Sequence, residues 1–331
     1  MPASAVDVAL PPLLALAVSA LTIGLLLKSR AARLVLDQPN HRSLHATPTP
    51  RIGGLGIVAG VAIAGALGGF AVDPRIALAA AALVAVSLVD DLRSIGAGWR
   101  MLVHLACAAL AAATLVGPAH DAWTTLAAVL AIGWLTNLYN FMDGSDGLAG
   151  CMALCGFSAY GIAALAAGDA AFAALNFSIA AAALGFLFFN FPPARVFMGD
   201  AGAIPLGFLA AVCALAGWQR GDWPLWFGGV VFSPFIVDAS LTLTKRLARG
   251  ERVWQAHREH YYQRLVQCGW GHRRTLLAEC ALMLAMAALA LAGATAGLLS
   301  AAALLTIAAA VYLVLIAALE RTFRAAGAPR A

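Results

Sequence analysis

Residues 148–190 read LAGCMALCGFSAYGIAALAAGDAAFAALNFSIAAAALGFLFFN, and Asp169 is the one charged side chain in the stretch. A helix crosses a bilayer core with about 20 consecutive, mainly apolar residues. Gly168 and Asp169 divide the stretch into two such lengths, 148–167 and 171–189. Two spans back to back place the chain in the membrane class, and the composition agrees: of 331 residues, 62% are hydrophobic and only 11% charged.

Outward from this pair, apolar runs between polar or Pro/Gly breaks cover 9–27, 52–70, 76–89, 101–116 and 123–138 before it. After it come 203–218, 224–244, 275–292 and 297–319. The sequence thus predicts an all-α fold, a polytopic membrane helix bundle of about eleven transmembrane helices forming a single domain over 1–331. The first run is read as a retained helix and not a cleavable signal. It has no basic residue before it, and Lys28, Arg30 and Arg33 follow it.

Positive residues accumulate in cytoplasmic loops, which fixes the orientation. With the N-terminus on the periplasmic side, only Arg75 and Arg220 of the 21 Lys and Arg lie outside; Arg42, Arg51, Arg93, Arg100, the cluster from Lys245 to Arg274 and Arg330 are all inside. The net charge of +5 is therefore a topology signal. It excludes a nucleic-acid partner, since no soluble basic domain is present to hold a duplex. The six cysteines, Cys107, Cys151, Cys155, Cys213, Cys268 and Cys280, fall mostly in apolar helices without metal-ligand spacing and read as packing residues.

Polar residues gather on the inner face. Asp90 and Asp91 follow the third run, Asp143 and Asp146 lie on the turn NFMDGSDGLAG at 140–150, and Asp200 lies in FMGDAG at 197–202. Singly, each reads as a solvated helix cap. Together they repel unless a positive charge sits among them, and hard oxygen ligands suit Mg²⁺ or Mn²⁺ shared with phosphate. Gly53, Gly54 and Gly56, Gly144 and Gly147, and Gly199 and Gly202 leave room for backbone to approach a ligand, although glycine is also frequent where membrane helices pack, so RIGGLG alone decides little. The N-terminus of the helix after Gly147 is oriented to meet an anion.

The segment KRLARGERVWQAHREHYYQRLVQCGWGHRRT, 245–274 with Thr275 closing it, admits two readings. One is a basic anchor on acidic lipid. The other is a substrate arm, with His257 and His260 on one face and Arg258 and Arg264 able to grip phosphates. A zinc pair lacks a third ligand. Asp238, inside the run 224–244, is costly at that depth and is expected to face the protein interior. His104 and Glu279 read as snorkelling or capping residues.

The ordered motifs VDDLRS, NFMDGSDGLAG, FMGDAG and HREHYYQRL, with DQPNHRSLHATPTPRIGGLGI upstream, resemble the polyprenyl-phosphate N-acetylhexosamine-1-phosphate transferases of glycosyltransferase family 4. The likeness is nearest to the bacterial branch that primes undecaprenyl phosphate for O-antigen assembly in lipopolysaccharide biosynthesis. It implies that a UDP-N-acetylhexosamine gives its sugar 1-phosphate to undecaprenyl phosphate at the cytoplasmic face of the inner membrane, releasing UMP. It further implies Asp90, Asp91 and Asp143 as catalytic residues, Asp90 acting as a base toward the lipid phosphate. Asp200 would be the Mg²⁺ ligand, and Asn140, Asp146, Arg51, His257, Arg258 and His260 substrate-binding residues. A homodimer is compatible with it. Two features depart from relatives: Ser94 replaces a third aspartate, and HREH replaces the contiguous histidine run of the phospho-MurNAc-pentapeptide transferases. Those enzymes of peptidoglycan synthesis remain the alternative within the family. A transporter of anionic substrates is the alternative outside it, although transporters place ionisable sites near the midplane.

Overall fold

The computed structural model describes residues 5–39, 44, 47–70, 72–93, 95–253, 255 and 257–325. Arg42, Ser94, Arg330 and a few residues of the upstream motif between 40 and 46 lie outside them. The described residues are almost wholly helical. The helices are α1 (Ala5–Lys28), α2 (Gly53–Gly68), α3 (Pro74–Arg93), α4 (Ala97–Leu115), α5 (Ala122–Met142), α6 (Leu148–Ala167) and α7 (Ala170–Asn190). They continue as α8 (Asp200–Arg220), α9 (Trp226–Val231), α10 (Ser233–Ala248), α11 (Tyr261–Leu265), α12 (Gly271–Ala294) and α13 (Ala301–Ala325). Two-residue strands, β1 (Leu36–Asp37) and β2 (Thr49–Pro50), pair antiparallel and close the loop between α1 and α2.

All eleven expected spans are helical, but among the described residues eight helices are long and apolar enough to cross a membrane unaided. The other three deviate for separate reasons. Helix α2 has only 16 residues. Helix α3 carries Arg75 at one end and Asp90, Asp91 and Arg93 at the other. The run 224–244 is broken at Phe232, where Pro234 begins a new helix and cannot donate to the turn before it. The chain is thus a multi-pass all-α membrane protein.

Helices α6, α7 and α8 form the centre, and α13 is mostly exposed along its length. Small residues set how closely helices approach, since lipid gives no hydrophobic push between them. At the crossing of α2 and α8, a Cβ on Gly54 would lie 2.4 Å from Gly202 Cα and 2.8 Å from the Met198 carbonyl. These glycines, read above as room for a ligand, bring two backbones into contact, and that contact fixes the start of α8. At the ends of the helices away from these glycines, each of the two arginines expected outside has its own acid: Arg75 pairs with Asp73 and Arg220 with Asp169, both at 2.8 Å.

Candidate active site

Two helix ends carry the first acids. Asp90 Oδ1 accepts the Ile95 N–H at 2.6 Å, closing the turn from α3 into α4, and its other oxygen pairs with Arg100. The same Arg100 nitrogen, Nη1, donates to Asp200 Oδ2 at 3.0 Å, so one guanidinium bridges acids 110 residues apart in sequence. Asp91 faces the start of α8 and accepts the N–H groups of Asp200 at 3.4 Å and Ala201 at 3.2 Å. A carboxylate at a helix N-terminus is favourably placed against the exposed N–H groups and the dipole. Gly199 makes the approach possible: its φ of 74° is left-handed, and a Cβ there would lie 3.0 Å from the Arg51 carbonyl and 3.1 Å from Asp91 Oδ2.

The loop before α8 is sewn onto the loop between α1 and α2. Phe197 N–H donates to the Pro50 carbonyl at 2.8 Å, and Gly53 and Gly54 N–H donate back to the carbonyls of Phe197 and Met198. This stitching puts Arg51 beside the acids, where it pairs with Asp37 at 2.7 Å and also feels Asp91 and Asp200.

Asp143 ends α5, its N–H bonded to the Asn140 carbonyl at 3.2 Å. Burial, reinforced by Asp200 and Asp91, pushes its carboxyl well above the usual carboxylate range despite an opposing pull from Arg51. That mutual influence places Asp143 in the same acid cluster. Asp146 has an internal task instead: Oδ2 accepts the Ala194 N–H at 3.0 Å, and Oδ1 lies 3.7 Å from His272 Nδ1. His272 also contacts Ser145 Oγ at 3.0 Å and the Leu44 carbonyl at 3.2 Å, tying three loops together. The start of α6 is not open to an anion as expected. Gly147 N–H is taken by Asn190 Oδ1 at 2.8 Å and Leu148 N–H by the Ser145 carbonyl.

The arm 245–275 is braced by Asp238. Its carboxylate accepts the N–H groups of Tyr261 at 3.0 Å and Tyr262 at 3.1 Å, the Thr242 hydroxyl at 3.1 Å and His260 Nδ1 at 3.2 Å. The expectation that this acid faces the interior therefore holds, and two of its four partners are backbone. Glu259 pairs with Arg246 and Arg249, and Glu320 of α13 accepts from Lys245 at 2.5 Å and Tyr261 at 2.7 Å. Tyr262 reaches the Phe141 carbonyl at 3.2 Å, so the arm's root lies against the turn that holds Asp143. His260 is buried, with its ring 4.8 Å from that of the more accessible His257. Burial, with His260 and Arg246 nearby, pushes His257 down to about 4, which leaves its ring neutral near pH 7. Arg258 is exposed beside it.

The cluster thus holds Asp90, Asp91, Asp143 and Asp200 against Arg51 and Arg100. Among the described residues no group of three or more His, Cys, Asp and Glu is arranged to hold a metal ion by itself. Hard carboxylate oxygens in excess over cations nonetheless fit Mg²⁺ or Mn²⁺, which bind through one or two carboxylates and complete their shell with water and phosphate. The sequence alone assigns no site role to Arg100, Asp37, His272, Asn190 or Glu320. Arg100 had one usable signal, a cation soon after an aspartate pair.

Residues 74–218 match the family profile described as Glycosyl transferase family 4. The chain is 30% identical over 300 residues to the decaprenyl-phosphate N-acetylglucosaminephosphotransferase of Mycobacterium tuberculosis, covering 75% of this chain and 73% of that protein. It is 28% identical over 260 residues to a probable undecaprenyl-phosphate N-acetylglucosaminyl 1-phosphate transferase of Bacillus subtilis, covering 73% and 72%. A phospho-N-acetylmuramoyl-pentapeptide-transferase of Moorella thermoacetica is 37% identical over a shorter 161 residues, 49% of each chain.

Proposed function

The chain belongs to glycosyl transferase family 4, and from that premise we propose that it transfers N-acetylhexosamine 1-phosphate from a UDP-sugar to undecaprenyl phosphate, releasing UMP. The observation that carries the reading is the meeting of Asp90, Asp91, Asp143 and Asp200 with Arg51 and Arg100 at one end of otherwise apolar helices. A site at that depth suits an acceptor whose phosphate lies at the interface and whose tail stays in lipid. We place it at the cytoplasmic face of the inner membrane, where a nucleotide-sugar is available, and assign the product to the start of O-antigen assembly.

In the reaction an oxygen of the lipid phosphate attacks the phosphorus that bears the sugar. The bond from that phosphorus to the bridging oxygen breaks, and UMP leaves with the electron pair. Two anions must approach, so electrostatic stabilisation is the main task of the site. Arg100 and Arg51 supply fixed positive charge. Asp90, held beside Arg100, orients the acceptor phosphate, which is already largely ionised near neutral pH. Asp200, with Asp143 or Asp91, would hold Mg²⁺, which when bound offsets phosphate charge as a Lewis acid. Neutral His257 and exposed Arg258 on the arm contact the donor diphosphate, and His260 holds the arm in shape.

The test is UMP release by purified protein with undecaprenyl phosphate, Mg²⁺ and a panel of UDP-N-acetylhexosamines together with UDP-MurNAc-pentapeptide, with and without EDTA. UMP formed only with lipid and metal supports the reading, and the preferred donor names the sugar. Release from the MurNAc donor alone would move the protein to peptidoglycan synthesis. No release from any donor by folded protein would overturn the reading, as would full activity of Asp200→Asn for the metal role.

A further inference from the structure

Arg100 reaches both Asp90 and Asp200 through a single nitrogen, Nη1. Its Nε is buried without a hydrogen-bond partner. One turn further along α4 stands His104, only 3% exposed, whose Nε2 is also buried and unpartnered. It had been read as a snorkelling residue, but it packs inward against α5.

The proton on the ring follows from its other side. Asn137 Nδ2 donates to the Gly133 carbonyl at 2.7 Å, so its amide oxygen is what faces His104 Nδ1 at 3.0 Å. An oxygen there requires Nδ1 to carry the hydrogen, which leaves Nε2 of the neutral ring as a lone pair. Arg100 Nε–H is a donor. Residues i and i+4 share a helix face, and side chains lean toward the helix N-terminus, so His104 leans over Arg100. A buried donor and a buried acceptor, each without a partner, therefore lie on successive turns of one face.

We propose that His104 is a positioning residue that gives Arg100 a second docking point: when Asp200 takes up a divalent cation, the guanidinium leaves Asp200, keeps Asp90, and donates its Nε–H to His104 Nε2. The inference rests on the cation role given to Asp200 above. A guanidinium and a divalent cation cannot both share Asp200 Oδ2 without strong repulsion. Without a second acceptor the displaced guanidinium would have only Asp90 to hold its orientation. Asn137 fixes the ring from behind, three residues before Asn140 of the Asp143 turn, so the new position of Arg100 is referenced to α5.

The test uses the full chain in lipid nanodiscs with ¹⁵N-labelled histidine, the His104 resonances being assigned by their loss in His104→Gln, and Mg²⁺ alone as the probe. The expected spectrum has Nδ1 protonated and Nε2 bare, with Nε2 moving upfield on Mg²⁺ addition as it gains a hydrogen bond, and no such movement in Arg100→Lys. In turnover, His104→Leu raises the Mg²⁺ concentration for half-maximal rate by about tenfold, at the low end for a residue behind a metal ligand, while both substrate KM values stay within about twofold. His104→Gln, whose amide oxygen can still accept, recovers most of that loss. An Nε2 that is protonated throughout, or unmoved when calorimetry shows Mg²⁺ bound, overturns the role of His104 and leaves the cation role standing. Absence of Mg²⁺ binding overturns both.

Discussion

Replacing Asp238 by Asn tests how the donor arm is held. The carboxylate is buried and takes four donors, three of them on Oδ1 and the Tyr262 N–H alone on Oδ2. Asparagine keeps the volume but puts an NH₂ group where one oxygen stood. With its oxygen kept toward Tyr261, His260 and Thr242, the amide nitrogen faces the Tyr262 N–H, donor against donor. Leaving that buried N–H unsatisfied costs about 1–3 kcal/mol, and the remaining bonds fall from charged to neutral strength. Relief of the buried charge offsets part of this, so a net loss of about 2–4 kcal/mol in arm docking is expected.

The other attachments cannot replace it. The pairs of Glu259 and Glu320 are partly exposed, and such pairs are each worth about 0–1 kcal/mol. Because about 1.4 kcal/mol is a factor of ten in an equilibrium, the docked fraction should fall enough to raise the donor KM by about tenfold or more. The lipid KM should change little, since Asp90, Asp91 and Arg100 are untouched. Steady-state UMP release with each substrate varied separately reads both constants, and trypsin cleavage at exposed Arg252 and Arg258 reports arm release without turnover. A folded variant with unchanged donor KM and unchanged cleavage would refute the brace, and equal rises in both KM values would refute its specificity for the donor side.

Gly54→Ala should lower the melting temperature in detergent, because its Cβ meets backbone of Gly202 that cannot yield; overpacking of about 1–3 kcal/mol exceeds the roughly 1 kcal/mol gained in helix propensity, and a melting temperature at or above wild type would show that α2 and α8 can separate freely. Gly144→Ala places a Cβ 2.3 Å from the Tyr262 hydroxyl, so it should loosen the arm from the Asp143 turn and raise the donor KM more than the lipid KM; an unchanged ratio of the two would count against that contact. His257, held neutral down to about pH 4 in the folded protein but ordinarily titrating near 6.5, makes the unfolded chain bind more protons between those values. Stability should therefore fall as pH drops from about 6.5 to about 4, and melting curves of His257→Asn should be flatter across that window; parallel curves would remove His257 as the cause.

The sequence gives depth along the membrane normal far better than it gives neighbours around the bundle. Apolar run length and the positions of Arg75 and Arg220 set each helix end at a face, and this suffices to gather Asp90, Asp91, Asp143 and Asp200 on one side. It does not show that Arg100 bridges Asp90 and Asp200, or that Asp146 holds the Ala194 backbone, because such pairs depend on which helices touch, and near-uniform apolar helices carry little angular signal. Asp238 illustrates the boundary. Its cost in a membrane helix predicts an inward face, but two of its four donors are main-chain N–H groups, which every residue has and no motif marks. The glycines of RIGGLG are ambiguous for a related reason: a missing side chain says that something comes close, either a ligand or a packed helix, and at Gly54 it is Gly202 of another helix. His104 was misplaced because position near a helix end was taken for exposure, when the opposing Asn137 decides which way the ring turns. Where recognition depends on a side chain's own chemistry, the sequence is read directly; where it depends on backbone or on the facing helix, only the assembled bundle supplies the partner.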